Sequence, residues 1–128
     1  PQSVHQLGGY AQRGTEPREA DAIVADALAL EEAGSFAIVL ESIPTELART
    51  ITKRVQVPTI GIGAGPDCDG QILVSSDMLG LCDEVPPFVK QYAQLGDAIV
   101  MAAKAFMADV QTGLYPSAAK PAGRAMVQ

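Results

Sequence analysis

The stretch that decides the fold is VQVPTIGIGAGPDCDGQILV, residues 55–74. Pro58 opposes helical backbone at the residue before it, and the apolar segment 59–62 that follows predicts a short buried strand. Glycines at 61, 63 and 65 leave no side chain beside the backbone, and an Asp-rich turn at 67–70 leads to a second predicted strand, 71–74. The pattern predicts two strands joined by a glycine-rich loop that can line a small-molecule pocket.

The glycine loop admits two physical uses. Its backbone amides can approach an anion closely, or its lack of side chains can let a strand pack tightly against a helix. The segment GIGAG has neither the full G-x-G-x-x-G spacing nor the Lys-Ser/Thr of a P-loop, so a phosphate site does not follow from it.

The segments around this stretch alternate between predicted helices and strands. Thr15 is a candidate N-cap for a helix over 17–33 with Gly34 as its stop, and the unbroken run FAIVL at 36–40 predicts a strand covered on both faces. Pro44 is placed to open the next helix, and a long helix is predicted over 97–111. This order is typical of the back part of a (β/α) barrel or of a small doubly wound sheet. A complete barrel needs about 250 residues, so this chain is too short to form one by itself.

Helical spacing also predicts which side chains are buried. The expected core faces are those with apolar residues three or four positions apart. They comprise Ala20, Ile23, Val24, Ala27 and Leu30 on the first helix, Leu47, Ile51 and Val55 on the second, and Ile99, Ala103, Phe106, Met107 and Val110 on the last.

Composition narrows the class of partner. The chain has 128 residues, 48% of them hydrophobic, and a net charge of −6 without a basic run, which argues against nucleic acid or an anionic membrane as the main partner. No apolar run approaches the length of a membrane span. Cys68 and Cys82 form no C-x-x-C pair, which favours a reducing cytoplasm. A first residue that is not Met suggests that Pro1 is not the natural start.

Glu41 is the residue with the clearest chemical potential. It directly follows the FAIVL strand, and the carboxyl ends of parallel strands are where such folds hold their reactive groups. Desolvation at that point would raise the pKa of Glu41 toward the operating pH, as a general base requires. The alternative is a structural carboxylate that caps the helix opening near Pro44.

The remaining polar residues favour structural roles. Asp67 and Asp69 are first of all turn residues and too few for a magnesium site, and Cys68 has no basic partner that would activate it. The others are His5, expected to be solvated or locally bonded; Arg13 and Arg18, expected at the surface; and Ser75, Ser76 and Asp77, expected to cap a short helix.

A series of motifs resembles ketopantoate hydroxymethyltransferase. In order along residues 1–116 they are PQSV, GGY, DALALEEAG, IVLE, IPTELA, PTIGIGAGPDCDGQILV, DMLGL and PPFVKQYA. The resemblance implies the C-terminal half of a (β/α)8 TIM barrel of the phosphoenolpyruvate/pyruvate superfamily, over residues 1–116. The Ala/Pro/Gly/Lys composition after that point predicts a flexible tail over 117–128. It implies transfer of a hydroxymethyl group from 5,10-methylenetetrahydrofolate to 3-methyl-2-oxobutanoate, with Mg²⁺, in a homo-oligomer.

The resemblance also assigns roles to residues. It places Glu41 on the family's catalytic glutamate and Ile62, Ile72 and Val74 in the lining of the substrate pocket. It implies that the metal ligands belong to a missing N-terminal half, so no metal ligand is expected in this chain. The segment after Gly-Gly-Tyr departs from the family pattern at Ala11, Gln12 and Arg13. Two alternatives stay open: another 2-oxo acid carbon–carbon bond enzyme on the same barrel, and a non-catalytic half-barrel that serves as an assembly partner.

Overall fold

The computed structural model describes residues 11–117, in which helices and short strands alternate. The elements are α1 (Pro17–Glu32), β1 (Ile38–Glu41), α2 (Thr45–Arg54), β2 (Thr59–Ile62), β3 (Gly70–Gln71), α3 (Ser75–Met78) and α4 (Leu95–Thr112). The predicted order of elements is confirmed in this range, and the element ends differ from prediction by a few residues.

The strands form a parallel sheet in the order β1-β2-β3. Ile38 of β1 lies opposite Thr59 of β2, and Glu41 lies opposite Ile62. The connection from β1 to β2 runs through α2, so these elements form a βαβ unit. The α/β class with a parallel sheet is therefore confirmed, whereas closure into a barrel and the boundary at residue 116 stay predictions.

The core lies between helices α1 and α2 and one face of the sheet. Ile38 and Leu40 alternate along β1 and are both buried, and Ile51 of α2 is fully buried beside them. The cluster consists of Val24, Ala27, Ile38, Leu40, Ile43, Leu47, Ala48, Ile51, Val55 and Ala64. The predicted core faces of α1 and α2 are confirmed, except that Leu30 is exposed.

The opposite face of β1 is uncovered, contrary to the prediction from its unbroken apolar run. Val39 is 54% exposed and Phe36, just before the strand, is 90% exposed. Successive side chains of a strand point to opposite faces, and the helices cover only the face that carries Ile38 and Leu40. Two-sided burial of this strand is wrong for the chain as it stands.

The return from β2 to β3 is short. Only residues 63–69 separate the two parallel strands, and Asp69 closes the connection by accepting hydrogen bonds from the backbone N–H of Thr59 (2.8 Å) and its hydroxyl (3.1 Å). The strand predicted over 71–74 is shorter and earlier, at Gly70–Gln71. Ile72 adds one further ladder bond, from its N–H to the Gly61 oxygen at 3.0 Å.

The start of α1 also differs from prediction. Glu16, not Thr15, occupies the N-cap position, and it makes no side-chain capping bond. Glu19 in the first turn reaches back instead, where it accepts the N–H of Gly14 at 2.8 Å. The predicted stop is confirmed, since Gly34 follows the helix with a φ of +91°.

The described residues divide into two compact units. The first takes those up to Val74 together with Pro86–Val89, and the second takes Ser75–Val85 and those from Lys90 onward. In the second unit the predicted short helix, α3, is present, but Ser75, Ser76 and Asp77 are its first three residues and not its caps. Helix α4 has no buried residue, so the predicted core face with Ile99, Ala103, Phe106, Met107 and Val110 is exposed. Within the same unit, Tyr115 packs edge-on against Phe106 with 5.2 Å between the ring centroids, and both rings stay about half exposed.

Candidate functional site

Glu41 and Ile62 define the site, because they end two neighbouring parallel strands. Their backbones are register partners, so both side chains leave the same face of the sheet at its carboxyl edge. Glu41 is exposed and engaged in an interaction. The predicted desolvation of this carboxylate is therefore wrong in this structure, since the face on which it lies is the uncovered one.

The predicted apolar lining residues fall on this face to different degrees. The ladder bond from Ile72 to Gly61 continues the β2–β3 register by one residue and brings Ile72 opposite Ile62. Both Ile72 and Val74 are about half exposed, and Val74 lies beyond the end of β3. The structure thus brings Glu41, Ile62 and Ile72 together on one face and leaves Val74 outside the sheet.

Ser42 was not singled out by the sequence, yet its backbone is unusual. It has a φ of +51°, the left-handed region, and it directly follows Glu41. Its N–H donates to the Ile62 oxygen and its own oxygen accepts the N–H of Arg13, both at 2.9 Å. Serine carries no strong signal for this conformation, so composition and periodicity offered no way to find it.

The glycine loop packs closely against two side chains. Gly63 and Gly65 have φ values of +62° and +78°. A Cβ on Gly63 would lie 2.6 Å from the ring of Phe88, and one on Gly65 would lie 2.7 Å from Cγ2 of Thr45. Of the two uses considered for this loop, the described contacts show tight packing. Phe88 beside the loop is a second residue that the sequence did not single out.

Asp67 and Asp69 lie at the end of the loop next to β3 and attach it to neighbouring elements. Asp67 accepts from Arg49 at 3.1 Å, and Asp69 binds Thr59, whose hydroxyl also lies 2.8 Å from the hydroxyl of Thr52. The hydrogen bond from the Thr59 backbone, followed by that from its side chain, lowers the pKa of Asp69 below its ordinary value. Both carboxylates therefore connect strand, helix and turn, as structural residues do.

The remaining candidate residues are two arginines and two cysteines. Arg13 forms an ion pair with Glu19, and Arg18 is exposed on α1. Cys68 is a free thiol packed against the core, and Cys82 is also free. Over residues 11–117, no group of three His, Cys, Asp or Glu side chains is arranged to hold a metal ion. His5 and the tail after residue 117 lie outside the described residues.

Together the fold and the site define an α/β protein that carries a carboxylate and apolar side chains at the carboxyl edge of a parallel sheet. A model of the family described as ketopantoate hydroxymethyltransferase matches residues 1–118. The chain belongs to this family. None of the helices in the described part is long and apolar enough to cross a membrane.

Individual relatives agree with the family match. A protein of Cyanothece sp. named 3-methyl-2-oxobutanoate hydroxymethyltransferase is 53% identical over 116 residues, and those of Thermosynechococcus vestitus and Geotalea uraniireducens with the same name are 54% and 50% identical. Each match covers 91% of this chain and 44% of the relative. The chain thus spans less than half the length of the curated relatives it matches.

Proposed function

We propose that this chain is the C-terminal part of a ketopantoate hydroxymethyltransferase. The complete enzyme would be a (β/α)8 barrel that transfers a hydroxymethyl group from 5,10-methylenetetrahydrofolate to 3-methyl-2-oxobutanoate, giving 2-dehydropantoate. The observation that carries the proposal is Glu41, an acidic residue at the carboxyl end of a parallel strand inside the segment that the family model matches.

In this mechanism Glu41 acts as the general base. Its carboxylate removes the proton on C3 of the 2-oxo acid, and the electron pair left on C3 forms the new carbon–carbon bond to the one-carbon unit of the folate. The two bonds from that carbon to the folate nitrogens break, water supplies the hydroxyl oxygen, and tetrahydrofolate leaves with the C3 proton and one proton of the water on its nitrogens. A base that removes a proton from carbon works where bulk water is excluded, and further protein over this face would exclude it. The exposed Glu41 of this chain would therefore become an effective base once its face is covered.

The apolar residues beside Glu41 fit the alkyl end of the substrate. Ile62 and Ile72 occupy the same face as Glu41, and Val74 follows two residues later. Branched aliphatic side chains exclude water and accept the isopropyl group of 3-methyl-2-oxobutanoate. We assign these three residues to substrate binding.

Mg²⁺ is the proposed metal, but the described residues do not fit it. A magnesium ion takes oxygen ligands in octahedral geometry, whereas Asp67 and Asp69 are engaged by Arg49 and Thr59. We therefore assign the metal ligands to the N-terminal part of the barrel. That part would also cover Val39 and the rest of the open sheet face. The completed enzyme would work in the cytoplasm as a homo-oligomer, as the family resemblance implies.

The experiment uses the complete enzyme, in which this chain is joined to the N-terminal part that its relatives carry. Glu41→Gln should abolish exchange of the C3 proton of 3-methyl-2-oxobutanoate with deuterated water and keep substrate binding within about tenfold, because an amide preserves shape but cannot accept the proton. Glu32→Gln, an exposed site at the end of α1, is the matched control and should exchange normally. Unchanged exchange in Glu41→Gln would reduce Glu41 to a structural role.

A second measurement tests whether the chain is a part. The intact mass of the protein isolated from its source should exceed the 13.3 kDa of this chain about twofold, since the chain covers 44% of its relatives. A mass of 13.3 kDa accompanied by full transferase activity would contradict the proposal that an N-terminal half is required.

A further inference from the structure

Ser42 differs from every other left-handed residue that the structure describes. Six glycines have positive φ in residues 11–117, and Ser42, at +51°, is the only residue with a side chain among them. Glycine adopts this conformation without steric cost, whereas other residues adopt it only when their surroundings hold them there. The chain therefore uses the more restricted residue at the position directly after Glu41.

Two backbone hydrogen bonds hold Ser42 in place. Its N–H bonds the oxygen of Ile62, so the β1–β2 ladder extends one step beyond Glu41. Its oxygen bonds the N–H of Arg13, and Arg13 and the adjacent Gly14 are both tied to Glu19 of α1. The backbone after Glu41 is thus fixed on one side to the neighbouring strand and on the other to the first turn of α1.

We propose that Ser42 is a positioning residue whose constrained left-handed backbone sets the direction of the Glu41 carboxylate at the strand end. The proposal rests on the assignment of Glu41 as the base. A strand that continued straight past Glu41 would keep residue 42 extended, and its oxygen would not reach the segment before α1. The left-handed turn ends the strand at Glu41 and links the base to that segment.

The test separates the backbone of Ser42 from its hydroxyl group in the complete enzyme. Ser42→Gly lacks the hydroxyl but adopts the left-handed conformation without steric cost, whereas Ser42→Thr keeps the hydroxyl and adds a β-branch that opposes positive φ. We expect Ser42→Gly to melt at or above the temperature of the unmodified enzyme and to retain C3 proton exchange within about threefold. Ser42→Thr, assayed at a temperature where circular dichroism shows it folded, should lose about 10- to 100-fold in kcat, with KM within about threefold, because misplacement of a catalytic group costs rates of this order.

The same change at Ser35 provides the control. Ser35 lies before the opposite end of β1, is also half buried and has no positive φ, and Ser35→Thr should leave kcat unchanged. A folded Ser42→Thr enzyme with unaltered kcat would overturn the proposal, as would an equal kcat loss in Ser42→Gly, which would assign the effect to the side chain rather than to the left-handed backbone. Failure of the unmodified enzyme, or of Glu41→Gln, to behave as expected would instead overturn the assignment of Glu41 and the positioning role with it.

Discussion

Replacement of Gly65 by alanine separates two reasons for the glycine in the loop after β2. The first is its φ of +78°, which disfavours any residue with a Cβ. The second is space, because the new Cβ would lie 2.7 Å from Cγ2 and 2.8 Å from Cβ of Thr45. Thr45 begins α2 and is β-branched, so its side chain has little freedom to move away.

Two other glycines isolate these effects. Gly34 has a φ of +91° with no atom within 4 Å of its ideal Cβ, so Gly34→Ala carries only the backbone term, about 1 kcal/mol. Gly70 has no positive φ, and its Cβ would meet Ile60 at an ordinary 3.9 Å, so Gly70→Ala should change stability by about 0.5 kcal/mol or less. Gly65→Ala adds steric overlap to the backbone term and should lose about 2–4 kcal/mol.

The assay is the free energy of unfolding from urea titrations of the complete enzyme, followed by circular dichroism with a matched buffer and protein concentration. The expected order of stability is Gly70→Ala, then Gly34→Ala, then Gly65→Ala. If Gly65→Ala were no less stable than Gly34→Ala, the packing of this loop against α2 would contribute nothing, and the loop glycines would serve the backbone conformation alone.

Three further results are expected. The pKa of Asp69 is lowered in the folded protein, so its contribution to folding stability is complete above its ordinary pKa of about 3.9 and is lost as the pH falls through the folded value. Asp69→Asn should therefore lower the urea midpoint at pH 7 and weaken the dependence of that midpoint on acid pH. Asp21→Asn, on the surface of α1, is the control. Arg49→Gln removes the partly exposed pair with Asp67 and should cause only a small loss that shrinks in high salt. Calorimetry should detect no stoichiometric binding of Mg²⁺ by the isolated 128-residue chain, and tight binding would contradict the proposed location of the metal ligands.

Local features were predictable where local physics decides them. The prolines and glycines marked element ends, and helical spacing found the α2 face that buries Leu47, Ile51 and Val55. The position of Glu41 at a strand end also follows from the chain order. The left-handed Ser42 was not predictable, because its conformation depends on bonds to Arg13 and Ile62, which are remote in sequence. The contact of Phe88 with Gly63 was missed for the same reason.

Burial was mispredicted in one direction only, and the direction is informative. An apolar pattern predicts that a segment is buried in its complete fold. The exposure observed here reflects only the residues that are present to cover it. The run containing Phe36 and Val39 and the apolar stripe of α4 both require cover that the described residues do not supply. Large exposed apolar surfaces of this kind mark places where further protein binds. Since Glu41 shares its face with Val39, the same cover that buries the strand would also desolvate the proposed base, so folding and catalysis would depend on one contact surface.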